Sequence, residues 1–180
     1  MDLWIAPHND DETLFGTFTL LRQHPLVLIV TDSWIQFNRG ESVTADQRWE
    51  ETIKAMKVLN CSVVRGGIRD DVVDEWAVRN LFLKYANFDT VYVPAVIGGN
   101  PHHDLIGKIA NEMWGSIPGV KVKLYSTYTK ENLWVPGIHE VNPTPDETVL
   151  KALAMDCYES QWRINGPHFE AVKGKKEGFA

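Results

Sequence analysis

The sequence has 180 residues, 44% hydrophobic and 23% charged, close to the averages of soluble globular domains, so a disordered or fibrous chain is excluded. The net charge is −6 and no basic stripe is visible, so we expect no nucleic-acid partner. No apolar run approaches the roughly 20 residues of a membrane span, and no export signal precedes the first strand, so we expect a cytoplasmic protein.

Short β-branched runs alternate with helical patterns along the chain. In chain order we predict strand 3–6, helix 11–21, strand 26–31, helix 46–59, strand 62–64, helix 73–85, strand 90–93, helix 103–114, strand 121–125 and helix 146–158. A loop excursion is expected near 130–142 and a mobile lysine-rich stretch near 173–176. This alternation predicts one α/β domain over 1–180: a Rossmann-like, open, mostly parallel sheet with helices on both faces, in three layers.

In open parallel sheets, ligands bind beyond the carboxyl ends of the strands. Segments 7–12, 31–34 and 94–104 follow the first, second and fourth predicted strands. We therefore expect these three segments to meet over one crevice.

The segment Pro7-His8-Asn9-Asp10-Asp11-Glu12 lies where the first strand turns into the first helix. His8 and Asp11 are three residues apart, so both can point at one centre, whereas Asp10 between them must point elsewhere. Zn²⁺ accepts imidazole nitrogen and carboxylate oxygen as ligands. Helix N-capping by Asp10 or Asp11 is the alternative, although capping needs only one acidic residue and does not explain His8.

A second polar segment, Gly98-Gly99-Asn100-Pro101-His102-His103-Asp104, follows the fourth strand. Two adjacent histidines in a glycine-rich loop at this edge of the sheet favour a ligand role over a structural one. With His8 and Asp11, one of them completes a set of three ligands. The fourth position then stays open for water, as in catalytic zinc sites.

These segments resemble those of the PIG-L / LmbE-like deacetylases, zinc hydrolases that act on N-acetylglucosaminyl compounds. The family's His-Pro-Asp-Asp-Glu box corresponds to residues 8–12, and its His-x-x-His box after Gly-Gly corresponds to 100–103. Three weaker matches keep the family's order over nearly the whole chain: Arg48-x-x-Glu51, Lys151 followed by Ser160-Gln161, and Glu177-x-Phe179.

The resemblance implies a hydrolase that removes the acetyl group from an amino sugar or its conjugate. It implies His8, Asp11 and His103 as ligands of Zn²⁺, with Fe²⁺ or another divalent ion as the alternative. It also implies Asp10 as the general base that deprotonates the attacking water, and Arg48 as a substrate-binding residue at the pocket wall. His102 is the alternative ligand in place of His103.

The sequence departs from the family pattern at two positions. Asn9 replaces a proline, which is expected to loosen the turn without touching a ligand. Asn100 replaces the first histidine of His-x-x-His, which is associated with the tetrahedral oxyanion. An asparagine amide can donate there but carries no charge, and loss of one such donor costs about 10²–10³ in rate. We predict that Asn100 keeps part of this catalytic role.

Three further residues are candidate substrate contacts. Trp34 and Trp134 lie in loops that can border the crevice, and flat indoles suit the apolar face of a sugar ring, with burial in the core as the alternative. Asp70 lies in another loop beyond a strand and could bind sugar hydroxyls, with a solvated loop acid as the alternative. The expected partner is a small amino-sugar substrate, and the sequence leaves homo-oligomerisation open.

Other functions compete with deacetylation. A sugar- or metal-binding protein that has lost catalysis would follow if Asn100 cannot replace histidine. A metal-dependent phosphoesterase is suggested by Gly99 to Asp104, but the early Asp-x-His of two-metal sites is missing. No G-x-G-x-x-G follows the first strand, which argues against dinucleotide binding. Cys61 and Cys157 lack zinc-site spacing, so we expect two buried, reduced thiols.

Overall fold

The computed structural model describes residues 1–33, 35–36, 42–127, 139–173 and 177–180, which form nine strands, six α-helices and two short 3₁₀ helices. The strands are β1 (Asp2–Ala6), β2 (Leu26–Asp32), β3 (Ile35–Gln36), β4 (Ser42–Val43), β5 (Val63–Arg69), β6 (Thr90–Pro94), β7 (Lys121–Tyr125), β8 (His139–Val141) and β9 (Glu177–Phe179). The helices are α1 (Asp11–Gln23), α2 (Ala45–Val58), α3 (Glu75–Phe82), α4 (Pro101–Gly115), α5 (Pro145–Asp156) and α6 (Glu159–Lys173).

Seven of the strands form one sheet in the order β5-β2-β1-β6-β7-β9-β8. The strands from β5 to β7 are parallel, and β1 lies among them with Leu3 opposite both Leu26 of β2 and Val91 of β6. β9 runs antiparallel to its neighbours β7 and β8, while β3 and β4 form a separate antiparallel ribbon. The predicted mostly parallel sheet is confirmed, with one reversed strand near its edge.

Helices cover both faces of the sheet, which confirms the predicted three layers. Side chains alternate along each strand, so one face packs against α1, α2, α5 and α6 and the other against α3 and α4. Trp4 lies in the first of these cores, with ring centroids 4.3 Å from Tyr125 and 5.3 Å from Tyr92. A Cβ at Gly16 would come within 2.4 Å of the Trp4 ring, so the close approach of α1 to β1 requires glycine there.

The predicted elements are all present, but several of their ends differ. The strand predicted at 62–64 continues to Arg69, because β2 offers it a partner along most of that length. The helix predicted at 103–114 begins at Pro101 instead, because Asn100 caps it and proline fits the first helical position. Apolar spacing reveals neither the pairing with β2 nor the cap at Asn100, so the predicted strand and helix were too short at these ends.

Some elements were not predicted. α6 carries Pro167 inside it, and a proline within a helical pattern normally argues against a helix. β8 corrects the end of the loop expected at 130–142, whereas 130–138 lie outside the described residues. Of the lysine-rich stretch at 173–176, Lys173 ends α6 and the rest lies outside them.

The structure bears on the expectations about membrane spans and about the two cysteines. None of the helices in the described part of the chain combines the length and apolar character that a membrane span requires. Cys61 and Cys157 are free cysteines. Both are half-buried, whereas we expected them to be buried. Burial raises the pKa of the Cys61 thiol to about 11, which keeps it protonated and poorly reactive at neutral pH.

A buried ion pair connects β9 with helices α1 and α5. Lys151 Nζ lies 2.7 Å from Glu177 Oε1 and donates to the carbonyl oxygen of Leu14 at 2.9 Å. Glu177 Oε2 accepts the backbone N–H of Phe18 at 2.9 Å. Both charged side chains are almost completely buried. The late lysine and the closing glutamate of the sequence motifs therefore join α5, α1 and β9.

Replacing Lys151 by methionine is expected to lower the free energy of unfolding by about 3–5 kcal/mol, because Glu177 would remain buried without its counter-charge. Denaturant unfolding of the Lys151→Met variant measures this effect. The matched control is Lys57→Met on the exposed face of α2, for which we expect a change within about 0.5 kcal/mol. Adding Glu177→Gln to Lys151→Met should recover part of the loss. Equal stability of the wild type and Lys151→Met would contradict the importance of the pair.

Candidate active site

The loops after β1 and β6 lie side by side because these two strands are neighbours in the sheet. The carbonyl oxygen of Pro7 accepts hydrogen bonds from the backbone N–H of Thr31 at 3.0 Å and from its hydroxyl at 2.9 Å, which fastens the first loop to β2. α1 begins directly after this loop, and α4 begins beyond the end of β6. The carboxyl edge of the sheet therefore brings together His8, Asp11 and His103.

Three side-chain atoms from these loops form a triangle. His8 Nδ1 lies 3.2 Å from Asp11 Oδ2 and 3.1 Å from His103 Nε2. His103 Nε2 in turn lies 3.0 Å from Asp11 Oδ2. Asp11 and His103 are fully buried, whereas His8 is half-buried. Two ring nitrogens and a carboxylate oxygen that point at one another have more lone pairs than protons to share, which is typical of ligands around a cation.

The triangle has the dimensions of a divalent-metal site. Zn²⁺ binds such atoms at about 2.0–2.2 Å, so a tetrahedral site holds its ligand atoms about 3.3–3.6 Å apart. The observed separations of 3.0, 3.1 and 3.2 Å are only slightly shorter. Asp11 Oδ1 is buried with no hydrogen-bond partner among the described residues, and a cation would satisfy it. His8, Asp11 and His103 therefore fit a divalent metal ion, and three protein ligands are the number that catalytic zinc sites use.

The charges around the triangle favour an ionised carboxylate between two imidazoles. Burial alone would raise the pKa of Asp11, but His103 and His8 outweigh it and hold this pKa well below its usual range. Burial opposes the protonation of His8, yet its hydrogen bond to Asp11 and the nearby carboxylates raise its pKa. Asp11 is thus negatively charged at neutral pH, as a metal ligand must be.

The start of α4 positions His103. Asn100 caps the helix, with its Oδ1 accepting the backbone N–H of His102 at 2.8 Å. Asp104 Oδ1 accepts the backbone N–H of Ile97 at 2.9 Å, which shapes the loop before the cap. One turn after His103, a Cβ at Gly107 would lie 2.1 Å from the carbonyl oxygen of Pro94. Glycine there lets α4 lie against the end of β6, where His103 reaches Asp11.

His8 has contacts on both sides of its ring. While Nδ1 faces the triangle, Nε2 lies 3.0 Å from Nδ1 of His102. Asp70 is close to this second pair, since one ligand atom from each of His8, His102 and Asp70 lies within 4.8 Å of the others. His102, the alternative ligand considered from the sequence, thus contacts His8 on the side away from the triangle.

Asp10 lies beside the triangle without being part of it. Its backbone adopts φ 110° and ψ −28°, and its side chain makes no capping hydrogen bond, so it does not cap α1. Its Oδ2 lies 3.2 Å from the guanidinium of Arg48. Burial raises the pKa of Asp10 to about 8, although the charge of Arg48 opposes this. A carboxyl group that titrates near neutral pH is suited to proton transfer.

Arg48 lies behind Asp10 rather than at an exposed wall. It is only 2% exposed, and its guanidinium donates to the backbone carbonyl of Asn9 as well as to Asp10. These contacts hold the loop and the carboxylate of Asp10 in place. The contact between Arg48 and substrate that the resemblance implies stays a prediction.

The loop is also held at Asn9, where the sequence departs from the family's proline. Its side-chain amide donates to Thr52 Oγ1 at 2.9 Å, and the Thr52 hydroxyl donates to the carbonyl oxygen of Arg48 at 3.1 Å. Asn9 is 2% exposed. The turn that we expected to be looser is therefore attached to α2 by a buried hydrogen bond.

Buried polar residues beneath the loop support it. Glu12 Oε2 accepts the backbone N–H of Asp10 at 3.1 Å, and its Oε1 accepts the hydroxyls of Thr13 and Tyr158. Tyr158 was not singled out from the sequence, because an aromatic residue at the end of a helix carries no sign of this contact. The orientation of Asp10 thus depends on a residue 148 positions later in the chain.

Two other sequence motifs meet at the boundary between α2 and α6. Glu51 Oε1 accepts the backbone N–H of Ser160 at 2.8 Å, and its Oε2 accepts the Ser160 hydroxyl at 2.6 Å. All these atoms are buried. The Arg-x-x-Glu and Ser-Gln motifs are therefore joined through Glu51, which positions α6 on α2.

A cavity of about 580 Å³ lies at the carboxyl ends of β2 and β5, lined by Asp32, Ala45, Arg69, Asp70 and Asp71. Its volume is within the usual range for small-molecule sites. Asp70 belongs both to this cavity and to the group with His8 and His102, so the cavity adjoins the triangle. Trp34 and Trp134, the predicted aromatic contacts, lie outside the described residues.

The similarity of this chain to known proteins lies in its fold. No family model and no curated protein matches the sequence. A triple mutant of the deacetylase Orf2 from the teicoplanin biosynthetic pathway superposes with a TM-score of 0.75 at 17% identity, covering 99% of this chain and 95% of that one. The zinc-inhibited form of the teicoplanin deacetylase Orf2 gives 0.73 at 16% identity, with coverages of 99% and 95%. The chain has the fold of these deacetylases.

The same deacetylase fold is also found in a protein with a different reaction. GalB, the 4-carboxy-2-hydroxymuconate hydratase of Pseudomonas putida KT2440, superposes with a TM-score of 0.64 at 17% identity, covering 96% of this chain and 82% of that one. A shared fold therefore does not decide between hydrolysis and hydration, and the function has to be argued from the site.

Proposed function

We propose that the protein is a metal-dependent hydrolase that removes the acetyl group from the nitrogen of an amino sugar or its conjugate. The observation that carries this proposal is the triangle of His8, Asp11 and His103 with the separate carboxylate of Asp10 beside it. The deacetylase fold and the order of the five sequence motifs support it. Zinc is the proposed metal, with iron(II) as the alternative.

The proposed reaction adds water to the acetamide carbonyl and breaks the bond from carbon to nitrogen, releasing acetate and a free amine. A divalent ion held by His8, Asp11 and His103 would lower the pKa of water to roughly 7 and polarise the carbonyl. Asp10 accepts the proton of the attacking water and returns a proton to the departing amine. Arg48 and Glu12 hold Asp10 in the position from which it can do both.

Asn100 is proposed to stabilise the oxyanion as a neutral donor. Its Oδ1 is engaged by the backbone N–H of His102, so the amide presents Nδ2 as its donor end. A group held by a helix cap is already oriented before the charge develops, which makes such a donor effective. We propose that this orientation offsets part of the charge lost with the family's histidine.

The cavity beside the triangle is proposed to hold the sugar ring. Its volume of about 580 Å³ accommodates one or two rings, and its carboxylates can accept hydrogen bonds from sugar hydroxyls. Asp70 belongs to this wall and also has a carboxylate oxygen within 4.8 Å of ligand atoms of His8 and His102. Contacts of Trp34 and Trp134 with the ring are proposed from the sequence alone.

Acetate release tests the proposed function. The zinc-loaded protein is incubated with N-acetylglucosamine, free or attached to a nucleotide, a lipid or a small aromatic group, and acetate and free amine are measured. We expect equal amounts of the two products from at least one compound. A chelator should abolish the release and added zinc should restore it, because water is a poor nucleophile without the metal.

Other results would favour the competing functions. Binding of acetylated sugar without acetate release would indicate a protein that has lost catalysis. Release of phosphate from a generic phosphate ester, without deacetylation, would indicate a phosphoesterase. Addition of water to 4-carboxy-2-hydroxymuconate, without deacetylation, would indicate a hydratase. Each of these outcomes contradicts the proposed deacetylase.

A further inference from the structure

We infer that His102 is a positioning residue that holds His8 in the tautomer and orientation that metal binding needs. The inference rests on the proposed function, because it concerns the same metal site. The observation that supports the role of His102 is the hydrogen-bond distance of 3.0 Å between His8 Nε2 and His102 Nδ1. The sequence motifs do not assign this role to His102.

The two nitrogens of His8 determine the direction of this hydrogen bond. His8 Nδ1 belongs to the triangle, at 3.1 Å from His103 Nε2 and 3.2 Å from Asp11 Oδ2. A neutral imidazole that offers Nδ1 to a metal carries its proton on Nε2. His8 Nε2 therefore donates, and Nδ1 of His102 accepts. Metal-binding histidines commonly use their second nitrogen in this way, with a carboxylate, carbonyl or water as the usual acceptor.

The backbone of His102 is fixed by the helix cap beside the ring of His8. Its backbone N–H donates to Asn100 Oδ1 at 2.8 Å, in the first turn of α4, and its side chain is half-buried. The rings of His8 and His102 lie with centroids 5.3 Å apart at an angle of 37°, so they contact each other through the nitrogens rather than by stacking. His102 can thus define the plane of the His8 ring relative to the triangle.

Asp70 adds a negative charge beside this pair. Its Oδ1 is buried and has no hydrogen-bond partner among the described residues, and its carboxylate lies within 4.8 Å of ligand atoms of His8 and His102. A carboxylate there attracts the positive end of the N–H dipole that lies between the two rings, which supports the hydrogen bond between them. The contact of His8 with His102 resembles the outer contacts that keep a ligating histidine in one tautomer.

A second cation between His8, His102 and Asp70 is the competing explanation of the same geometry. It would require His8 to bind two ions through its two nitrogens and therefore to lose both protons. A hydrogen bond needs only the neutral ring. The number of zinc ions per chain distinguishes the two explanations.

Zinc titration of the metal-free protein against a fluorescent chelator tests the inference without any substrate. His102→Leu keeps a similar volume but removes the acceptor, and we expect the zinc dissociation constant to rise about 10- to 100-fold. His102→Asn places an acceptor oxygen at the position of Nδ1 and should recover most of the affinity. The matched control is His24→Asn at the exposed end of α1, which should bind zinc like the wild type.

The outcomes separate this inference from the proposed function. Unchanged affinity in His102→Leu, or equal losses in His102→Leu and His102→Asn, would overturn the positioning role while leaving the deacetylase proposal intact. Two zinc ions in the wild type and one in His102→Leu would overturn it in favour of a second metal site. A wild-type protein that binds no zinc would overturn both. One ion per chain, with weaker binding in His102→Leu and rescue by asparagine, supports the inference.

Discussion

Replacing His103 by alanine is expected to abolish zinc binding and, with it, acetate release. His103 is completely buried, and its Nε2 is one of only three ligand atoms in the triangle. His8 and Asp11 would remain as the two ligands, and they are too few to bind the ion tightly, because a catalytic zinc site normally keeps three protein ligands. Elemental analysis of the purified His103→Ala protein should show occupancy near zero, against one ion per chain in the wild type.

The control for this loss is His24→Asn, which removes an exposed histidine outside the site and should keep full occupancy. Circular dichroism on both variants checks that the fold is retained. If His103→Ala keeps the occupancy of the wild type, the predicted ligand set is wrong, and His102 becomes the first residue to test in its place.

Replacing Asp10 by asparagine is expected to lower kcat by about 10²–10⁴-fold while zinc binding is retained. Asparagine has nearly the same shape and tolerates a positive φ, so the loop should keep its conformation. It cannot accept the proton of the attacking water, so the loss should appear in turnover. Steady-state kinetics and elemental analysis on the same preparation measure the two effects separately.

Asp156→Asn provides the matched control for the Asp10 variant. Asp156 is an exposed acid at the end of α5 and does not line the cavity, so its replacement should change kcat little. Near-normal turnover in Asp10→Asn would show that Asp10 is not the base. Loss of zinc in that variant would instead indicate that Asp10 takes part in metal binding.

The architecture could be predicted from the sequence because its signals are local and regular. Alternating apolar strands and amphipathic helices identify ten elements, and all of them are present. β8 and β9 could not be predicted in the same way. They are three residues each, and β9 joins the sheet through a long-range pairing supported by Lys151 and Glu177. Short strands of this kind depend on tertiary contacts that local patterns do not contain.

The residue types of the site could be predicted from the sequence, but the role of each residue was harder to predict. The sheet rule brings His8, Asp11 and His103 to one edge, and the structure has them there. Which of two adjacent histidines faces the triangle depends on where α4 begins, and that is set by Asn100 and the close packing at Gly107. Apolar spacing does not predict either feature.

Buried polar contacts were the hardest part to predict. Arg48 matched a motif associated with substrate, yet it lies behind Asp10, and Tyr158 contacts Glu12 from the other end of the chain. Such pairs have no periodicity, and their partners are far apart in sequence. They meet because α2 and the junction between α5 and α6 both lie beside the first loop.

The backbone of Asp10, with φ 110° and ψ −28°, has a consequence for how such chains evolve. Residues with side chains are held in this region at a cost on the order of 1–3 kcal/mol, whereas glycine adopts it freely. Glycine at this position would relieve the backbone strain, but it would remove the proposed base and leave the buried Arg48 without its carboxylate partner. Selection for an unstrained backbone and selection for turnover therefore act in opposite directions on one residue. Among related chains, an acid retained here would mark those still under selection for the reaction, and glycine would mark those released from it.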